Sequence, residues 1–241
     1  MKKKLMLRKA HRYIGLFISI QLLLWTLGGI YFSWTDIDEI HGDHLKKQII
    51  DKVPPQIPAK LILEYYTDIA SLDSLTSSHL AHKPVYNLTY TSINNEKIKL
   101  LIDADIGEEI TDISEQLAID IANYNSSFDA KIMSAELITQ TDNHHEYREK
   151  SLPVWAITYD TSSSPTFYVN ANTGKLETVR HTSWRIFDFL WMLHTMDYQG
   201  RDDFGNWLLK IFSIIALITS ISGIVLFIIS SRRKKLVRQS N

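Results

Sequence analysis

The chain has 241 residues, a formal net charge of −1, nine histidines and no cysteine. Near-neutral charge gives no support for nucleic-acid binding. The missing thiols exclude disulfides, iron–sulfur clusters, zinc–thiolate sites and covalent c-type haem attachment. Mean hydropathy is close to zero, yet this average conceals two strongly apolar stretches with an ordinary polar region of about 170 residues between them, enough for one core or two small ones.

The first apolar run covers residues 13–32 and the second 207–229. Each is roughly 20 residues or longer, enough to cross the hydrocarbon core of a bilayer. Lys2, Lys3, Lys4, Arg8, Lys9 and Arg12 precede the first; Arg232, Arg233, Lys234, Lys235 and Arg238 follow the second. The positive-inside rule then predicts two cytoplasmic ends and an external region between the spans. The first run is long, and the bulky Phe32-Ser33-Trp34 follows it where a small-residue cleavage site would stand, so it reads as a retained signal anchor. Without cysteine and with a short basic start, a bacterial inner membrane is the natural setting, with the main domain periplasmic.

In chain order, the expected organisation is a basic cytoplasmic N-terminus (1–12), a first span (13–34), an external domain (35–183), an interfacial amphipathic helix and turn (184–205), a second span (206–230) and a basic tail (231–241). Inside the external domain, 58–71 reads as a helix, with Leu61, Ile62, Tyr65, Tyr66 and Ile69 at helical spacing. Strands are expected at 85–91 and 97–104. A second helix is expected at 114–124 with Ser114 as its cap, then strands at 132–139, 154–159 and 166–170, with the polar 141–150 as a loop. Two strand ends repeat each other: Asp103-Ala104-Asp105-Ile106-Gly107 and Asn170-Ala171-Asn172-Thr173-Gly174. In both, an Asx side chain can cap a tight turn and the glycine can accept positive φ; the carboxylates are too few for a calcium loop.

Helix, strands and a closing Asp/Asn-Ala-x-x-Gly turn resemble the PepSY domain. The terminal segments resemble the PepSY-associated transmembrane family, whose first span is entered through His-Arg-aromatic-x-Gly, here His11-Arg12-Tyr13-Ile14-Gly15, and which carries a Leu-His element before a later span, here Leu193-His194. The resemblance covers nearly the whole chain. It implies an α+β membrane protein, in which two transmembrane helices flank an external domain of two PepSY-like helix-plus-antiparallel-strand units. Larger relatives have four or more spans and include ferric-siderophore reductases that hold b-type haem between histidines. This chain has half those spans, so it is similar to the compact two-span members associated with bacterial iron acquisition, and one copy is short of ligands to enclose a haem.

The histidines divide on this basis. His11 stands roughly one turn before the apolar core, on one helical face with Gly15, Ile18, Leu22, Trp25 and Gly29. Its spacing fits either a headgroup-zone histidine with Gly15 serving helix packing, or a haem ligand with Gly15 leaving room for the macrocycle. His194 lies in a stripe of Trp184, Phe187, Trp191 and Tyr198 and needs a partner for its ring nitrogens. That partner is a carboxylate such as Asp188 or Asp197, a backbone carbonyl, or haem iron. His41 and His44 stand near Asp38, Glu39 and Asp43, a solvated linker or an external iron- or zinc-docking site. His79, His82 and His181 read as surface, and His144 and His145 as loop. Gln21 reads as an interhelical hydrogen-bond donor inside the first span.

The resemblance implies a haem b protein with His11 and His194 as cofactor-binding residues, which moves electrons outward and reduces ferric iron or a ferric chelate on the periplasmic side. A homodimer would supply the second imidazole to each iron. The sequence offers no flavin or nicotinamide fingerprint, so a separate cytoplasmic reductase or a membrane quinone is expected as donor, with a ferrous-iron transporter as a further partner. The alternative is a non-enzymatic PepSY binding module, or an accessory subunit of an iron transporter.

Overall fold

The computed structural model describes the backbone of residues 2–48 and 53–238, and the side chains of 5–48 and 53–230. The terminal basic side chains cited above, Lys2 to Lys4 and Arg232 to Arg238, therefore lie outside the described ones. The chain divides into two units, one of residues 1–36 and 186–241, the other of 37–185.

In the first unit, α1 (Lys2–Trp34) and α6 (Trp207–Arg238) pack on each other. Leu5–Trp34 and Trp207–Ser230 are long and apolar enough to cross a membrane, and most of their side chains face outward. That is the distribution expected where the solvent is lipid. Ile18, Met196 and Phe212 form a small core, with Trp25, Leu208 and Ala216 against it. Gln21 is buried, and its Nε2 donates to the carbonyl of Leu193 at 2.7 Å, the cross-helix bond expected of it. Of the two neighbouring glycines, Gly28 lies against Leu190 and Phe32, whereas Gly29 faces open space and serves no close packing.

The second unit opens with α2 (Ile37–Ile40) and a 3₁₀ turn (Asp43–Leu45), followed by α3 (Ala59–Tyr65). Three strands, β1 (Ile69–Leu80), β2 (Lys83–Ser92) and β3 (Lys97–Asp103), form an antiparallel sheet in sequence order. After α4 (Glu115–Asn125), a four-stranded antiparallel sheet follows, β4 (Ile132–Ile138), β5 (Val154–Tyr159), β6 (Thr166–Asn170) and β7 (Leu176–Arg180), again in order. Ser114 caps α4 by accepting from the Leu117 amide, which satisfies one orphan donor of the first turn. Strand alternation divides the cores. Val85 joins α4, Ile157, Phe167 and Val169 in the central core, while Tyr86, Leu88 and Tyr90 pack with Ile62 of α3. Fully buried Phe167 and Ile157 each contribute roughly 1.5–3 kcal/mol relative to exposure.

Two expectations are corrected here. The helix expected over 58–71 stops at Tyr65, and Tyr66 is already extended. Ile69, counted into the helical stripe, instead begins β1 opposite Ser92. Strands β1 and β7 are absent from the sequence reading. β1 is a polar edge strand, exposed over most of its length, so no alternating apolar pattern marks it.

The duplicated turn is closely reproduced. Asp103 Oδ1 accepts from the amides of Asp105 and Ile106, and Asn170 Oδ1 from those of Asn172 and Thr173. Gly107 and Gly174 follow at φ +77° and +66°. The alanine amide donates to a proline carbonyl in both copies, Ala104 to Pro84 and Ala171 to Pro153.

Candidate functional site

His11 projects from α1 onto α6. Its Nδ1 lies 2.7 Å from Ser222 Oγ, and that hydroxyl spends its one hydrogen on the Thr219 carbonyl, also at 2.7 Å. With that hydrogen on Thr219, Ser222 Oγ is placed to accept from a proton on Nδ1, a tautomer that would leave Nε2 as the acceptor. A Cβ at Gly223 would stand 3.2 Å from His11 Cε1, so the glycine makes the berth in which the imidazole rests. At Gly15, one turn along, an added Cβ would stand 3.8 Å from Thr219 Cγ2, an ordinary contact, so close helix approach does not require that glycine. Sequence reading missed Ser222, whose hydroxyl meets His11 Nδ1.

His194 stands near the end of α5 (Thr182–Thr195) in an aromatic setting. Trp25 of α1 is 5.5 Å away, Phe32 6.0 Å edge-on, and Trp191 6.4 Å and nearly parallel. Among the described residues its buried Nδ1 has no hydrogen-bond partner, and neither does the neighbouring Trp25 Nε1. The carboxylates that sequence reading offered as partners are engaged elsewhere. Asp188 forms an ion pair with Arg201. Asp197 accepts from the amides of Gln199, Gly200 and Asp203, and although burial raises its pKa, those amides bring it below the ordinary carboxylate value. A buried imidazole nitrogen left unpaired costs about 1–3 kcal/mol.

His11 and His194 are not brought together. The His194 ring meets α1 at Trp25 and Phe32, 14 and 21 residues beyond His11, roughly 20–30 Å along the helix at 1.5 Å per residue. A single iron cannot take both. Each position offers an imidazole away from any paired carboxylate among the described residues, a ligand type that suits a b-type haem iron.

The external unit gathers its histidines differently. His44 meets His181 edge-on at 5.4 Å, and His181 Nε2 donates to the Glu39 carbonyl at 3.0 Å. His181, expected on the surface, is only 2 % exposed; the correction follows from the chain returning beside α2, where the imidazole fills a core position and finds a backbone acceptor. His41 is exposed. No group of three or more potential metal ligands forms around it or His44 among the described residues. His82 and His144 are exposed, His79 and His145 partly so.

Glu146, which sequence reading left in the polar loop 141–150, anchors a buried network. It accepts from Arg185 through both carboxylate oxygens, at 2.6 and 3.0 Å, and from Tyr168 at 2.7 Å. Burial raises the Glu146 pKa, but these bonds outweigh it and the carboxyl ends below its usual value. Burial beside another cation lowers Arg180 to about 10. The 39-residue separation of Glu146 and Arg185 leaves no local sequence signal.

A family model described as the PepSY-associated TM region matches residues 8–241. The chain belongs to this family. It is a membrane protein of mixed helix and sheet, with apolar helices near its two ends and the sheets between them. No curated protein and no solved structure matches it.

Proposed function

We propose that this PepSY-associated protein is a haem b electron carrier of a bacterial inner membrane that reduces ferric iron on the periplasmic side. The observation that carries the reading is the pair of poised imidazoles. Ser222 is placed to accept from His11 Nδ1, which would turn Nε2 to a metal in the way that a hydrogen-bonded ligand histidine does. Among the described residues His194 has no partner for its buried Nδ1, inside a wall of Trp25, Phe32 and Trp191. Haem held by two imidazoles supplies one-electron transfer at a coordinatively saturated iron. The residues themselves set position and exclude water. Each level offers one good histidine per chain, so a second copy related by a two-fold axis completes each pair. Both chain ends lie in the cytoplasm in this reading, and His41 and His44 are where external iron would dock.

The test is a reduced-minus-oxidised visible spectrum of the detergent-purified protein, read together with its mass. A dimer with a Soret band is expected. His11→Ala and His194→Ala should each lower haem content, and haem that remains should turn high-spin because a coordination position has opened. His82→Ala is the control; His181→Ala is unsuitable because that ring is buried. Wild-type spectra in both ligand variants would discard the assignment. A colourless wild-type protein would leave the chain as a PepSY binding module or transporter accessory.

A further inference from the structure

Within the membrane unit, α1, α6 and the chain after α5 enclose a crevice of about 310 Å³, at the small end of ligand pockets. Its walls are apolar, among them Phe17, Met196, Ile211, Phe212 and Ile215, with one amide, Gln21. Gln21 lies within the Leu5–Trp34 span, so molecules dissolved in the bilayer can reach it. The side chain is 8 % exposed. Its Nε2 donates to Leu193, and its Oε1 accepts no hydrogen bond from the described residues. A carbonyl with no donor in hydrocarbon is costly, and a lipid acyl chain has no donor to offer.

We propose that this crevice binds the ring of a membrane hydroquinone, with one hydroxyl donating to Gln21 Oε1. A hydroquinone matches the site on three counts: it partitions into the bilayer, its flat apolar ring fits walls such as Phe17 and Phe212, and it carries the O–H that the amide lacks. The crevice also shares Phe212 with Trp25, 5.5 Å from Phe212 and 5.5 Å from His194, which puts the bound ring on the same side of α1 as the aromatic pocket of His194. The inference rests on the electron-carrier reading and names its donor. Oxidation of one hydroquinone to quinone releases two protons to water and two electrons, enough to convert two ferric ions to ferrous.

The experiment is photolabelling of the full-length protein in lipid nanodiscs with an azido-hydroquinone bearing a decyl tail, held in the reduced form under argon and mapped by mass spectrometry. Label is expected in the peptides that carry Phe17 to Gln21 and Leu208 to Ile215, suppressed several-fold by excess unlabelled decyl-hydroquinone and not by excess oleate. Gln21→Leu should reduce labelling several-fold. Because Gln21 also ties α1 to Leu193, Ile215→Trp is the second variant: it fills the crevice, keeps the amide, and should abolish the competed label. Equal competition by oleate would mean a lipid crevice and overturn the proposal, as would competed labelling that survives in both variants. The two readings fail separately. A haem-free protein that still takes competed label keeps the quinone site and removes the reductase; a haem-loaded protein without competed label does the reverse.

Discussion

His181 and Glu146 show how single buried groups make the external unit sensitive to acid. Burial lowers the His181 pKa from its ordinary 6.5, the facing His44 and Arg185 lower it further, and the bonds to backbone carbonyls oppose this only in part. The folded chain thus binds fewer protons than the unfolded chain just below pH 6.5, so stability is complete above that value and declines as the pH falls towards the folded pKa. Glu146 shifts in the same direction from 4.5, and its contribution is lost in a lower window, below pH 4.5. Thermal midpoints of the full-length protein, followed by near-ultraviolet circular dichroism, should therefore fall in two steps on acidification. His181→Gln should erase the upper step and keep the lower one; a wild-type midpoint constant from pH 7.5 to 4.5 would contradict the assignment. Neither group was legible as buried in the sequence, because a histidine in a polar stretch and a glutamate in a loop look like surface until distant partners arrive.

At the scale of elements, the repeated turn was fully legible. An Asx side chain that captures the next two amides, and a glycine at positive φ, are local chemistry that needs no tertiary context. The surroundings of the two glycines nevertheless differ. A Cβ on Gly107 would meet only the tip of Ile57, at 3.2 Å; one on Gly174 would run into Leu80 and press on Ile113 and Ile121 of the central core. Gly107→Ala should cost about 1–2 kcal/mol for the left-handed conformation. Gly174→Ala should cost roughly 1–3 kcal/mol more, because the core must also shift. Chemical denaturation of the full-length variants checks the order; equal losses would mean that the core around Gly174 yields freely. Helix α4 and strands β5 and β6 were readable because apolar spacing and a serine cap mark them. β1 was not, because a polar edge strand draws its order from β2 rather than from its own residues.

At the scale of the whole molecule, the proposed topology makes the simplest prediction. Reporter fusions at Asn241 and within residues 141–150 should give opposite signals, cytoplasmic for the first and periplasmic for the second. Matching signals would remove the two-span arrangement and with it the outward direction of electron flow. What the sequence determined by itself is whatever depends on composition and short-range spacing: two stretches of membrane length, the basic flanks, the duplicated Asx–glycine turn, the cap of α4, and a motif set that resembles the family later matched over residues 8–241. What only the tertiary structure decided is which groups meet. Ser222 orients His11 across 211 residues, Trp25 and Phe32 enclose His194, and Arg185 neutralises Glu146. The physical reason is that hydrogen bonds and ring contacts act over a few ångströms, so a polar side chain acquires its role only when folding brings a partner within that reach, and chain spacing carries no record of the encounter.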